Sequence, residues 1–152
     1  MKKNAPKKKA TGYKPAPAVN KTEEPNASYY RSIKVSAAVK DFTYSEFKKI
    51  ADKVPFTQAE WATILHVSER TLQRYAKANS VFAPINAERA MQIAQVLTRA
   101  KEVFGDTAKF YHWIKRSPYA LEGNLSMQSL TTNDGINKVL TQLGRIEHGL
   151  FA

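Results

Sequence analysis

The sequence predicts an all-α protein in which an N-terminal helix-turn-helix subdomain is joined by a long helix to a small helical C-terminal subdomain. Three observations predict it. Apolar residues recur at the three-to-four spacing of a buried helix face from Phe42 onward, and no segment alternates at the two-residue period of a half-buried strand. Ser, Thr, Asn or Asp stands at each point where such a periodic stretch begins. Within residues 56–75, FTQAEWATILHVSERTLQRY, two such starts are separated by one tight turn. That is the layout of a reader of the DNA major groove. The pattern predicts about seven to eight helices.

In chain order, Thr43-Tyr44-Ser45-Glu46 has capping-box grammar with Phe42 and Phe47 as a staple, and it starts a bracing helix that ends before Pro55. Thr57-Gln58-Ala59-Glu60 repeats that grammar, with Phe56 and Trp61 as the staple, and places Trp61, Ala62, Ile64 and Leu65 on one face. This helix stops at His66-Val67, where His66 takes the turn position that usually favours glycine, so a strained positive φ is expected. Ser68 then caps the second helix, and Val67 and Leu72 pack back on the first.

Residues 80–85 read as a loop, and Asn86 as the cap of a helix of roughly five turns that stops at Gly105. Its polar stripe of Glu88, Gln92, Gln95, Arg99 and Glu102 is narrow, so the helix should be covered on two sides. Asp106 caps a helix through Lys115 that buries Phe110, Trp113 and Ile114. Ser117-Pro118 reads as the start of a short helical turn closed by Gly123. Ser126 and Thr132 start two more, the last with Ile136, Val139, Leu140, Leu143, Ile146 and Leu150 on one face.

Composition bounds the function. The chain of 152 residues is 43% apolar, enough for one or two small cores. It has no cysteine, which removes disulfides and thiolate metal sites. It also has no apolar run of membrane-spanning length, so the expected address is the cytoplasm, with no membrane partner. The net charge of +11 is concentrated in residues 1–40, where ten Lys/Arg face only Glu23 and Glu24 and four of the seven prolines fall. This segment reads as a disordered basic tail, and two roles for it stay open: a non-specific phosphate-binding arm or a solubilising leader.

His66, His112 and His148 stand far apart, with no i, i+4 pair to hold a metal. No P-loop, dinucleotide glycine motif or nucleophile elbow is present. The reading is of a protein without catalytic residues, metal or cofactor. Thr57, Ser68, Arg70, Thr71, Gln73, Arg74 and Lys77 are instead the candidate DNA-binding set: Arg suits guanine edges, Gln suits adenine edges, and Ser, Thr and Lys reach phosphates. Two amphipathic helices with a merely solvated charged face would share much of this pattern.

The run from Trp113 to Gly149, with SPYALEG at 117–123, LTTNDG at 130–135 and LGRIEHG at 143–149, resembles the toxin-binding domain of the Xre/MbcA/ParS-like type II antitoxins. The matching positions include Trp113, Pro118, Gly123, Leu130, Thr132, Gly135, Leu143 and Glu147. The likeness extends over roughly residues 42–152 and leaves the basic tail uncovered. Met127, where the family often has proline, is a local departure.

The resemblance implies domains at 1–40 (tail), 41–105 (helix-turn-helix) and 106–152 (toxin-binding). It implies an antitoxin whose C-terminal half blocks the active site of a RES-type, NAD-consuming toxin. Its helix-turn-helix half would repress its own operon from operator DNA, as a homodimer and in a toxin–antitoxin hetero-oligomer. The toxin-binding candidates are Arg145, Glu147, His148, Gly149, Leu150, Phe151 and Ala152, read as an apolar plug. Folding of Leu150 and Phe151 onto their own core is the other fate such residues meet. The competing readings are a stand-alone regulator whose C-terminal half only dimerises and a nucleoid-type binder acting through the tail.

Overall fold

The core begins where three short helices cross. The computed structural model describes residues 42–150; residues 1–41, which contain the basic tail, and Phe151 and Ala152 lie outside the described residues. Helices α1 (Tyr44–Ala51), α2 (Gln58–Leu65) and α3 (Glu69–Ala78) pack on one another. Phe47, Trp61 and Phe82 form an aromatic centre, with Phe47 centred 5.1 Å from Trp61 and 5.3 Å from Phe82. Leu65 and Leu72 close it from α2 and α3.

Helix α4 (Pro84–Phe104) is the spine. It buries Ala87, Ala90, Ile93, Val96, Leu97 and Ala100. It packs against α1 and α2 and also against α5 (Thr107–Lys115) and α6 (Asn133–Glu147), so it is covered on two sides as its narrow polar stripe predicts. Phe110, Ile114, Leu125, Leu130, Val139 and Leu143 continue the same core into the C-terminal half. A 3-10 helix over Met127–Thr131 bridges the halves by packing on both α6 and α2.

Five expectations about these elements need correction. Residues 118–123 do not form a helical turn. They belong to an antiparallel hairpin, β1 (Tyr119–Ala120) paired with β2 (Gly123–Asn124). The preceding Ser117 has φ +49°, which breaks helical geometry before Pro118 can open a helix, and Gly123 at φ +107° lets the chain leave the Leu121–Glu122 turn into β2. The chain therefore contains strand among its described residues, too short for alternation to reveal.

The long helix starts three residues earlier than expected, with Ala83 as cap and Pro84 in its first turn. Proline needs no donor there. Asn86 does not cap; its Nδ2 donates to the carbonyl of Leu65 at 2.6 Å and ties α4 to the end of α2.

At α1, the Thr43 hydroxyl makes no capping bond. Thr43 pairs instead with Val81 as an isolated bridge, and Asn79 Oδ1 accepts from the Ser45 amide at 2.9 Å. A neighbouring loop satisfies the helix start and displaces the local cap. Trp113 is half-buried and packs its ring against Phe104 and Phe110 at the edge of the core, so it is not in the fully buried set. Finally, α6 ends at Glu147 with His148 as its cap residue, and Leu150 lies beyond it at 62% exposure, off the apolar stripe.

Candidate nucleic-acid and partner interfaces

The helix-turn-helix is built from the local grammar of residues 56–75. The Thr57 hydroxyl accepts from the Glu60 amide at 3.1 Å, and Glu60 Oε2 accepts from the Thr57 amide at 2.9 Å. Phe56 sits 5.2 Å from Trp61, ring to ring, closing the staple. Helix α2 ends on His66, whose backbone is left-handed at φ 57°, ψ 38°. A non-glycine residue in that region is held there against a cost. One partner that holds it is the carbonyl of Thr131, 2.7 Å from His66 Nε2.

Ser68 then caps α3. Its hydroxyl accepts from the Thr71 amide at 3.0 Å and lies 2.9 Å from the Thr71 hydroxyl. With Leu72 pointing into the core, the opposite face of α3 is open. Ser68, Arg70, Thr71, Gln73, Arg74 and Lys77 line one shallow concavity on it. Six of the seven sequence-derived DNA candidates are thus brought together, and the seventh, Thr57, serves as the α2 cap.

Among the described residues, Arg70, Arg74 and Lys77 enter no salt bridge, which they share with Lys53, Arg89, Lys101, Lys109 and Arg116, but these three are clustered on one helix face. Three cations without a carboxylate partner on one exposed helix face, Arg74 also lying 5.9 Å over the Tyr75 ring, suit a polyanion. Sequence reasoning passed over Gln58, the first residue of α2, whose Nε2 donates to the Glu69 carbonyl at 3.4 Å and spans the N-termini of both helices. Its place directly after the Thr57 cap was the available signal.

The second candidate surface surrounds the end of α6. Glu147 pairs with Arg99 on the spine, and Arg99 also holds Glu102 at 3.0 Å. Arg145 lies 3.9 Å from Glu122 in the hairpin turn, and its carbonyl accepts from the Leu150 amide at 2.7 Å. His148 and Leu150 are exposed, and Gly149 takes φ +69°. Arg145, Glu147, His148, Gly149 and Leu150 are therefore neighbours, with Glu147 committed to the spine; Phe151 and Ala152 lie outside the described residues.

Sequence reasoning also missed the seam between the halves. Glu60 Oε1 receives Lys115 Nζ at 2.9 Å and the Tyr111 hydroxyl at 3.3 Å. Burial pushes the Glu60 carboxyl up, but Lys115, the Thr57 amide and Tyr111 together hold it below its ordinary value of 4.5. Among the described residues no group of three or more His, Cys, Asp or Glu is placed to hold a metal, and no helix is long and apolar enough to cross a membrane.

The fold and its open recognition helix define a helix-turn-helix protein with a second helical domain appended through a shared spine. Residues 44–95 match the antitoxin Xre-like helix-turn-helix domain, and residues 99–149 match the antitoxin Xre/MbcA/ParS C-terminal toxin-binding domain. The two matches meet inside α4. The chain is 31% identical over 97 residues to an antitoxin Xre of Yersinia enterocolitica, covering 62% of this chain and 65% of that protein. It is 27% identical over 105 residues to an antitoxin Xre of Photorhabdus laumondii, covering 68% of this chain and 71% of that protein. The chain belongs to the family of Xre-type antitoxins.

Proposed function

We propose that this chain is the antitoxin of a type II toxin–antitoxin system that neutralises a RES-type, NAD-consuming toxin and represses its own operon. The observation that carries the reading is the union in one chain of an open, cationic recognition helix with a domain matching toxin-binding domains. In the DNA-binding role, α3 enters the major groove. Arg70, Gln73 and Arg74 meet base edges, Lys77 meets the backbone, and the capped N-termini at Thr57 and Ser68 approach phosphates. In the toxin-binding role, the segment from Arg145 onward, with exposed Leu150, enters the toxin's active-site cleft and closes it to substrate. The family resemblance supports the RES type, and paired half-sites on DNA favour a homodimer.

Two binding measurements test the reading. The full chain is titrated with the duplex upstream of its own gene, and separately with the product of the adjacent gene. Tight binding to both is expected, with preference for the upstream duplex over an unrelated one. Deletion of residues 149–152 is expected to weaken toxin binding and leave duplex binding intact. Unchanged toxin binding by the truncated chain would remove this segment from the interface, and equal affinity for unrelated duplexes would remove the operator-reading role.

A further inference from the structure

Five large apolar side chains are strongly exposed among the described residues: Val81, Ile85, Tyr119, Leu121 and Leu150. Two of them belong to the hairpin that the sequence did not foretell, and a third follows α6. The hairpin's inward residues, Ala120 and Leu125, are each only 2% exposed and supply its hold on the core. Tyr119 and Leu121, at 71% and 66% exposure, contribute little to that hold. Their positions are nevertheless fixed by the β1–β2 pairing, by the Leu125 amide donating to the Pro118 carbonyl at 2.9 Å, and by the turn that ends at Gly123.

Arg145 gathers these elements. Its guanidinium meets Glu122 in the hairpin turn, and its carbonyl holds the Leu150 amide. The hairpin tip and the Leu150 segment are thus tied to one residue, with a charged pair between apolar side chains. Pre-positioned aromatic and aliphatic anchors beside a charged rim are the makings of a protein-binding hot spot. Tyr119, Leu121, Glu122 and Arg145 all fall within the stretch that matches a toxin-binding domain.

We propose that the hairpin is a second anchor for the toxin: Tyr119 and Leu121 dock on an apolar surface beside the cleft that receives the Leu150 segment. This rests on the toxin-binding reading above and extends it from one segment to two. Arg145 acts as the positioning residue that holds both in register. Tyr119 brings a ring that buries area at low entropic cost and a hydroxyl for a polar group on the partner's rim.

The test uses the full chain and the purified product of the adjacent gene. The Tyr119→Ser/Leu121→Ser variant is expected to bind that product about tenfold or more weakly. It should keep the wild-type melting temperature and duplex affinity, because neither side chain is in the core or on α3. Tyr119→Phe/Leu121→Met should restore most of the affinity, and Ile85→Ser, which alters an equally exposed apolar residue at the start of α4, should leave it unchanged. Wild-type binding by the serine double variant, or an equal loss with Ile85→Ser, overturns the hairpin anchor alone. So does a loss confined to self-association, which would make a second copy the occupant. Failure of the unaltered chain to bind overturns the toxin-binding reading, and the anchor falls with it.

Discussion

His66 shows how a single residue carries constraints from both halves of the molecule. Its left-handed backbone is the turn of the helix-turn-helix, and its ring reaches Thr131 in the 3-10 helix. His66→Ala keeps the strained backbone and loses the ring contact, so it should destabilise by about 1–2 kcal/mol. His66→Gly loses the same contact but relieves the strain, and should melt higher than His66→Ala. The reverse order in thermal denaturation would show that the turn is unstrained.

Glu60 makes a pH prediction. Its carboxyl is held below 4.5, so the fold gains stability from it above that value and loses it as the pH falls toward the folded-state pKa. Lys115 is raised above 10.5, chiefly by Glu60, so its contribution is present below that value and fades above it. Glu60→Gln should flatten the acid limb of the stability profile, and an unchanged limb would contradict the assignment. At the DNA face, Arg70→Ala and Arg74→Ala should each cost about 1–3 kcal/mol in operator binding if they are bidentate to bases, and should relax sequence preference. These two side chains were readable from sequence because an amphipathic helix declares its open face. The Glu60–Lys115 pair was not, because it joins residues 55 apart in the chain.

At the scale of elements, the caps separate what was local from what was not. Thr57, Ser68, Asp106, Ser126 and Thr132 all cap where the sequence places them, since each bond closes within three residues. Thr43 and Asn86 have suitable chemistry but do not cap: Thr43 sits opposite Val81 in a bridge whose bonds are made by the neighbouring Tyr44 and Phe82 amides, and Asn86 donates to Leu65. The two prolines after short loops tell the same story. Pro84 opens a helix, while Pro118 follows a left-handed Ser117 and leads into a strand. The residues around the two prolines do not distinguish these outcomes.

Gly135 is the strictest element-level demand. A Cβ there would lie 2.1 Å from the Ser129 carbonyl oxygen, because the first turn of α6 presses on the 3-10 helix. Gly135→Ala should therefore destabilise by about 1–3 kcal/mol, against the usual helix-propensity gain, as read by denaturant midpoint. Stabilisation by this substitution would mean the two elements are not in contact.

For the whole molecule, the helical class and the covered spine followed from periodicity and the cap residues. The way the halves meet did not. The seam is made by Glu60 with Lys115 and Tyr111 and by His66 with Thr131, pairs separated by 51 to 65 residues. Through these contacts the turn and first helix of the helix-turn-helix are bonded to the C-terminal half, so one chain presents the two proposed surfaces on a common frame. The surfaces themselves lie on different elements, α3 on one side and the hairpin with the end of α6 on the other. The Arg70→Ala/Arg74→Ala variant should accordingly lose operator binding while keeping its affinity for the adjacent gene product.

The central claim, that this chain neutralises a toxin, is tested most directly by growth of cells expressing the adjacent gene product alone and together with the full chain. The account predicts arrest in the first case and restored growth in the second; arrest that the chain does not relieve, or no arrest at all, would contradict it.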